Sequence, residues 1–196
     1  MMKTSSFLFL MLFVLASFGC QKKNETQNTA QNAGTPAAQQ STVKNVSQVI
    51  SVETRSDKKV PLFSWTDASG KKITIDEFAQ GSGVLVNFWA TWCGPCKKEI
   101  PDLVELDKEY AAKGVKVLGI SVDRDGDVLS TVSDFVRQSG IGYPVVVDNG
   151  ELEKAFGGIR GIPTTFFIDK NGMITKRMIG LQTKAAFAQQ MDSVKP

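Results

Sequence analysis

Seven residues, Val84–Ala90 (VLVNFWA), make a nearly unbroken apolar run, and three positions further on begins Cys93-Gly94-Pro95-Cys96. So short an apolar run fits a strand covered on both faces, at the centre of a sheet. A helical pattern follows from about Cys93 and stops at Gly114. The fold must therefore bury this strand and start a helix almost at once, with two sulfurs at the junction.

That junction has its own chemistry. The first N–H groups of a helix lack intrahelical partners and the helix dipole is positive there, so both stabilise a thiolate at Cys93. Pro95 is tolerated because the first turn needs no N–H from it. Cys96 lies three residues on, on nearly the same face, so the two sulfurs can bond with little backbone movement. Cys93 is expected to be the exposed attacking sulfur, and Cys96 the deeper one that resolves a mixed disulfide. A static crosslink is the weaker reading, since so small a loop constrains the unfolded chain little. A metal site is weaker still. The chain has no histidine and only three cysteines, which excludes His-ligated centres, Cys–His and Ser–His–Asp nucleophiles and an all-cysteine zinc site. No bound metal is expected, and no cofactor beyond a redox-active disulfide of Cys93 and Cys96.

Strands and helices alternate through the rest of the chain, which indicates an α/β sheet covered on both faces. VPLFSWTDASGKKITI reads as a hairpin around Asp67–Gly70, VKVLGISVD as a second buried strand and YPVVVD as a third. Asp127–Ser139 and Glu151–Phe156 read as helices. TTFFID and MITKRMIG read as strands joined at Asn171-Gly172, and Thr183–Val194 as a closing helix. Pro101 falls inside the helix that follows the cysteines and is expected to kink it. The acidic stretch Asp123–Asp134 (DRDGDVLSTVSD) has the spacing of a calcium loop but places Val128 where Gly is needed and Asp134 where Glu is needed. Helix capping by Asp125 or Asp127 accounts for it more simply.

The N-terminus is of another kind. Lys3 precedes the apolar run Phe7–Phe18, which ends in small residues and Cys20. The segment resembles a bacterial lipoprotein signal, with Ser17 where the pattern usually has leucine. Residues 1–19 are thus expected to be a signal peptide and Cys20 the lipidated residue. Residues 20–57, rich in Gln, Asn, Thr and Ala, bury too little apolar surface to offset their ordering entropy and read as a disordered tether. Val46–Val52 within them has some strand character. Residues 58–196 form the expected domain. Net charge is +3 on 196 residues, which gives no reason to expect nucleic-acid binding.

The motifs VLVNFWATWCGPC and GIPTTFFID, in that order, resemble the thioredoxin superfamily over about Lys58–Lys195. The N-terminal hairpin, CKKEIP after the cysteines and the added block GISVDRDGDVLSTVSDFVRQSGIGYPVVVD are most similar to the TlpA/ResA-like membrane-anchored thiol-disulfide oxidoreductases. The resemblance implies a thioredoxin-like fold, with a central mixed β-sheet, helices on both faces, an N-terminal β-hairpin and an inserted strand–helix block. It implies that Pro163 is a cis-proline beside the cysteines and that the backbone of Ile162 pairs with an extended substrate strand. Trp92, Gly94 and Pro95 complete the expected substrate-binding surface, while Trp89 is core. Thioredoxin has a buried aspartate where this chain has Asn87, so that proton route is missing. Glu99, matching an acidic residue of the closer group, is the implied proton partner of Cys96.

The expected function is reduction of disulfides in exported proteins, apocytochrome c among them, by an extracytoplasmic, lipid-anchored monomer fed by a membrane thiol electron donor. Two other readings stand beside it: a thiol peroxidase of the related peroxiredoxin type, and a non-catalytic redox-sensing lipoprotein.

Overall fold

The computed structural model describes residues 44–55 and 58–196. Cys20, the signal segment 1–19 and most of the tether lie outside the described residues.

Eight strands form one sheet in the order β3-β2-β1-β6-β5-β4-β7-β8. The central strand is β4 (Gly83–Trp89), in which all seven residues are buried. It pairs in parallel with β5 (Val115–Ser121) and antiparallel with β7 (Thr164–Ile168). Beyond β5 lies β6 (Val145–Val147), also parallel, and beyond β7 lies β8 (Ile174–Ile179), antiparallel. The other edge is built by β2 (Leu62–Thr66) and β3 (Lys72–Thr74), the expected hairpin, whose turn is tied by Asp67 accepting from the Ser69 and Lys71 N–H groups.

Alternation along β4 sorts the layers, because successive side chains point to opposite faces. Asn87 and Trp89 meet α2 (Gly94–Ala111) and α3 (Val128–Gln138), through Glu99 and Phe135. On the same side α5 (Lys184–Ser193) packs on α2, with Tyr110 Oη donating to Asp192 at 3.0 Å. Phe88 points the other way, into a cluster with Phe63, Phe156 and Phe166. That cluster joins the hairpin to α4 (Glu151–Ala155) and the segment following it. Burying each such ring contributes about 2–3 kcal/mol. The mixed sheet with helices on both faces agrees with expectation. α2 continues unbroken through Pro101. Asp127 caps α3, accepting from the Ser130 N–H at 3.2 Å.

Two elements depart from the sequence reading. The folded unit begins before residue 58. β1 (Val46–Glu53), assigned to the tether by composition, pairs in parallel with β6 and antiparallel with β2. It is held because Val46, Val49 and Val52 pack on the core and because Asn45 Nδ2 donates to the carbonyls of Ile141 and Tyr143. A short helix, α1 (Ile75–Ala79), also follows β3 directly. Thr74 and Glu77 form a capping box at its start.

Candidate active site

The strand β4 ends at Trp89, and Cys93 is the N-cap of α2, with Pro95 in the first turn. The sulfurs of Cys93 and Cys96 are joined as a disulfide, with 5.3 Å between the Cα atoms. Cys93 Sγ also accepts the backbone N–H of Cys96 at 3.2 Å, so the attacking sulfur occupies the place of a capping oxygen. Gly94 and Pro95 are exposed between them. Cys96 is fully buried, as expected of the deeper member. Cys93, expected to be exposed, is only 5% exposed because it is drawn into the core cluster with its partner.

The loop before Cys93 is fixed from β5. Asp123, just past that strand, accepts from Thr91 N–H at 3.0 Å, Thr91 Oγ1 at 2.6 Å and Ser121 Oγ at 2.7 Å. A peroxidase would need a hydroxyl beside the reactive sulfur. The Thr91 hydroxyl is instead taken up by Asp123.

On the other side, Asn87 and Glu99 meet. Asn87 Nδ2 donates to Glu99 Oε1 at 2.9 Å and to Thr165 Oγ1 at 3.0 Å. Glu99 Oε2 receives the Gln182 N–H at 3.3 Å. Glu99 is 1% exposed, and this burial pushes its carboxyl up to about 7, the Asn87 and Gln182 donors pulling back only in part. One turn of α2 separates it from Cys96. The helix thus carries, at three-residue spacing, two sulfurs and a carboxyl able to exchange a proton near neutral pH.

The Ile162–Pro163 peptide is cis. The Pro163 carbonyl accepts from Gly180 N–H at 2.8 Å, which brings the segment after β8 alongside. Among the described residues neither the N–H nor the C=O of Ile162 has a hydrogen-bond partner. Trp92 is 67% exposed. It forms one wall of a groove of about 270 Å³ whose other wall runs from Ile159 to Ile162. Trp89, by contrast, is fully buried. The structure therefore gathers Trp92, Cys93, Gly94, Pro95, Cys96, Glu99, Ile162 and Pro163 at the end of β4.

It adds residues that the sequence reading missed. Gln182 reaches Glu99 only through the fold. Asp123 was legible only as part of an apparent calcium loop. Ile179 and Leu181, 62% and 49% exposed, flank Gly180 and leave apolar surface beside the cis peptide. Among the described residues no group of three or more His, Cys, Asp or Glu side chains could hold a metal ion.

The arrangement can pass two electrons between a dithiol and a disulfide, with a proton acceptor at hand. Known proteins carry the same pattern. Residues 56–177 match the sequence family described as the AhpC/TSA family. The thiol-disulfide oxidoreductase ResA of Bacillus thuringiensis (strain Al Hakam) is 39% identical over 139 residues, 71% of this chain and 78% of that protein. A thiol:disulfide interchange protein of the thioredoxin family from Chlorobium tepidum TLS superposes with a TM-score of 0.63 at 36% identity, over 71% of this chain and 97% of that one. StoA from Bacillus subtilis superposes with a TM-score of 0.58 at 28% identity, over 68% and 98%. With its cysteine pair at the head of α2, the family matched over residues 56–177 and a 39% identical relative covering 71% of it, the chain belongs to the AhpC/TSA family of thioredoxin-like proteins, among its thiol-disulfide oxidoreductases.

Proposed function

We propose that this chain reduces disulfides of exported proteins outside the cytoplasm, with oxidised apocytochrome c within its substrate class. The observation that carries the reading is a near-neutral carboxyl, Glu99, one turn beyond Cys96 at the head of a helix. In the reduced enzyme the Cys93 thiolate attacks one sulfur of the target disulfide. That S–S bond breaks, a mixed disulfide forms and the first target sulfur leaves as thiolate to take up a proton. Cys96 then gives its proton to Glu99 and attacks Cys93 Sγ, so the second target sulfur leaves and is protonated. The target gains two electrons and two protons, and the Cys93–Cys96 disulfide is restored. A membrane thiol donor returns the electrons. During attack, Ile162 offers its unpaired backbone N–H and C=O to an extended target segment, with Trp92, Gly94, Pro95 and Pro163 around it.

The Gly-Pro dipeptide between the cysteines, shared with thioredoxin, supports the reducing direction. No helix among the described residues is long and apolar enough to cross a membrane. The proposed anchor is lipid on Cys20, which labelling with a radioactive fatty acid tests; an unlabelled mature protein would remove the anchor from the reading.

The central test is insulin reduction with dithiothreitol as electron source. The expected result is turnover that Cys93→Ser abolishes. Turnover no better than that of Cys93→Ser would leave a redox-sensing protein instead. A Cys96→Ser variant is expected to retain its cellular target as a mixed disulfide through Cys93.

A further inference from the structure

The groove beside Trp92 is not electrically neutral. Two arginines and one carboxylate line it: Arg124, Arg160 and Glu153. Arg124 is already engaged. Its guanidinium bonds Glu153, Asp148 Oδ2 at 3.1 Å and the Asp148 carbonyl at 2.6 Å. Arg124 is thus shared between Glu153, which lines the groove, and Asp148, which does not, and it is not free to meet a ligand. Arg160 is exposed and, among the described residues, has no hydrogen-bond or ion-pair partner. It stands two residues before Ile162, whose backbone is also unpaired. On the other side of the disulfide, Lys97 and Lys98 are exposed and likewise without an ion-pair partner.

A segment lying along Ile162 therefore passes a flat indole and an uncompensated guanidinium on one side. We propose that this groove makes the enzyme prefer disulfides whose flanking sequence carries an acidic residue, with Arg160 as that residue's ion-pair partner. Arg suits the task because its planar fork receives a carboxylate through two parallel N–H donors. The Trp92 face offers an apolar platform for the stem of a Glu or Asp. The preference rests on the proposed reduction reaction and adds to it a rule for choosing among targets. A charge at the edge of a groove acts mainly on the rate of encounter and is screened by salt.

The test uses disulfide-linked dimers of a short single-cysteine peptide, identical except for Glu, Gln or Lys at each position within three residues of the cysteine. Each is mixed with the fully reduced protein, and the second-order rate of thiol release is measured at low and high salt. The expected order is Glu, then Gln, then Lys, at one or more positions, with a Glu-to-Lys ratio of about fivefold at low salt that shrinks as salt is raised. Arg160→Gln should bring the ratio towards one, and Arg160→Glu should invert it. Equal wild-type rates for all three residues at every position would overturn the preference while leaving the reduction reaction standing. A Glu preference that survives unchanged in Arg160→Glu would overturn the role of Arg160. Reduction of none of the peptides would instead count against the proposed function itself. The wild-type comparison requires no variant to fold.

Discussion

Two carboxylates are buried on either side of the disulfide, and the protein treats them in opposite ways. Asp123 is 6% exposed and Glu99 1%. Asp123 receives three close donors, from the Thr91 N–H and the Thr91 and Ser121 hydroxyls. Glu99 receives one close donor from Asn87 and a long one from Gln182. Both are buried carboxylates, and Asp123 gathers more close donors than Glu99 does. Asp123 is occupied as a structural tie that holds the approach to Cys93. Burial raises the Glu99 carboxyl to about 7 and its two donors offset that only in part, so its proton becomes exchangeable near pH 7.

The comparison can be broken at several points. Asp123→Ala strands the Thr91 N–H and two hydroxyls without their acceptor, and urea unfolding should show a loss of about 4 kcal/mol. A loss below about 1 kcal/mol would mean that Asp123 is no tie. Glu99→Gln should slow single-turnover reduction about 100-fold at neutral pH, the usual scale of a lost general acid–base group. It should also erase the limb near pH 7 in the pH–rate profile, and persistence of that limb would assign it to another group.

Stability should report Glu99 independently. Burial raises its carboxyl in the folded protein to about 7, against an ordinary glutamate value of 4.5. Between these values the folded protein keeps a proton that the unfolded chain has released. Its contribution therefore favours folding less as pH rises through that window and is constant above it. The stability of Glu99→Gln relative to wild type should accordingly improve between pH 4.5 and pH 8, by on the order of 2–3 kcal/mol. A difference independent of pH would show that burial leaves Glu99 untouched. The smallest effect is expected from Thr91→Val, which removes one hydroxyl donor to Asp123 and should cost about 1 kcal/mol in the same unfolding assay.

What the sequence disclosed followed the physics of local pattern. The run Val84–Ala90 and the helix behind Cys93 were legible because a nearly all-apolar strand and a helix start leave strong marks over a few residues. β1 left a weak one. The residues it packs on the core, Val46, Val49 and Val52, fall three apart, Ile50 faces solvent, and its register with β2 shifts between Val49 and Ser51, so strict alternation is lost. The five residues of α1 are too few for a helical period, although Thr74 and Glu77 had the spacing of a capping box. Glu99 emerged through family resemblance. Its supply line from Gln182 is 83 residues away and leaves no local trace. The acidic run from Asp123 was legible at Asp127, which caps α3 as expected, whereas the tie from Asp123 to the loop before Cys93 leaves no mark in sequence spacing.

The near burial of Cys93 bears on which proteins can be customers at all. With 5% of the residue exposed and Cys96 sealed behind it, the oxidised pair offers a partner little sulfur surface. In the proposed reduction, a disulfide on a loose, extended stretch would therefore meet that sulfur more readily than one held inside a folded domain.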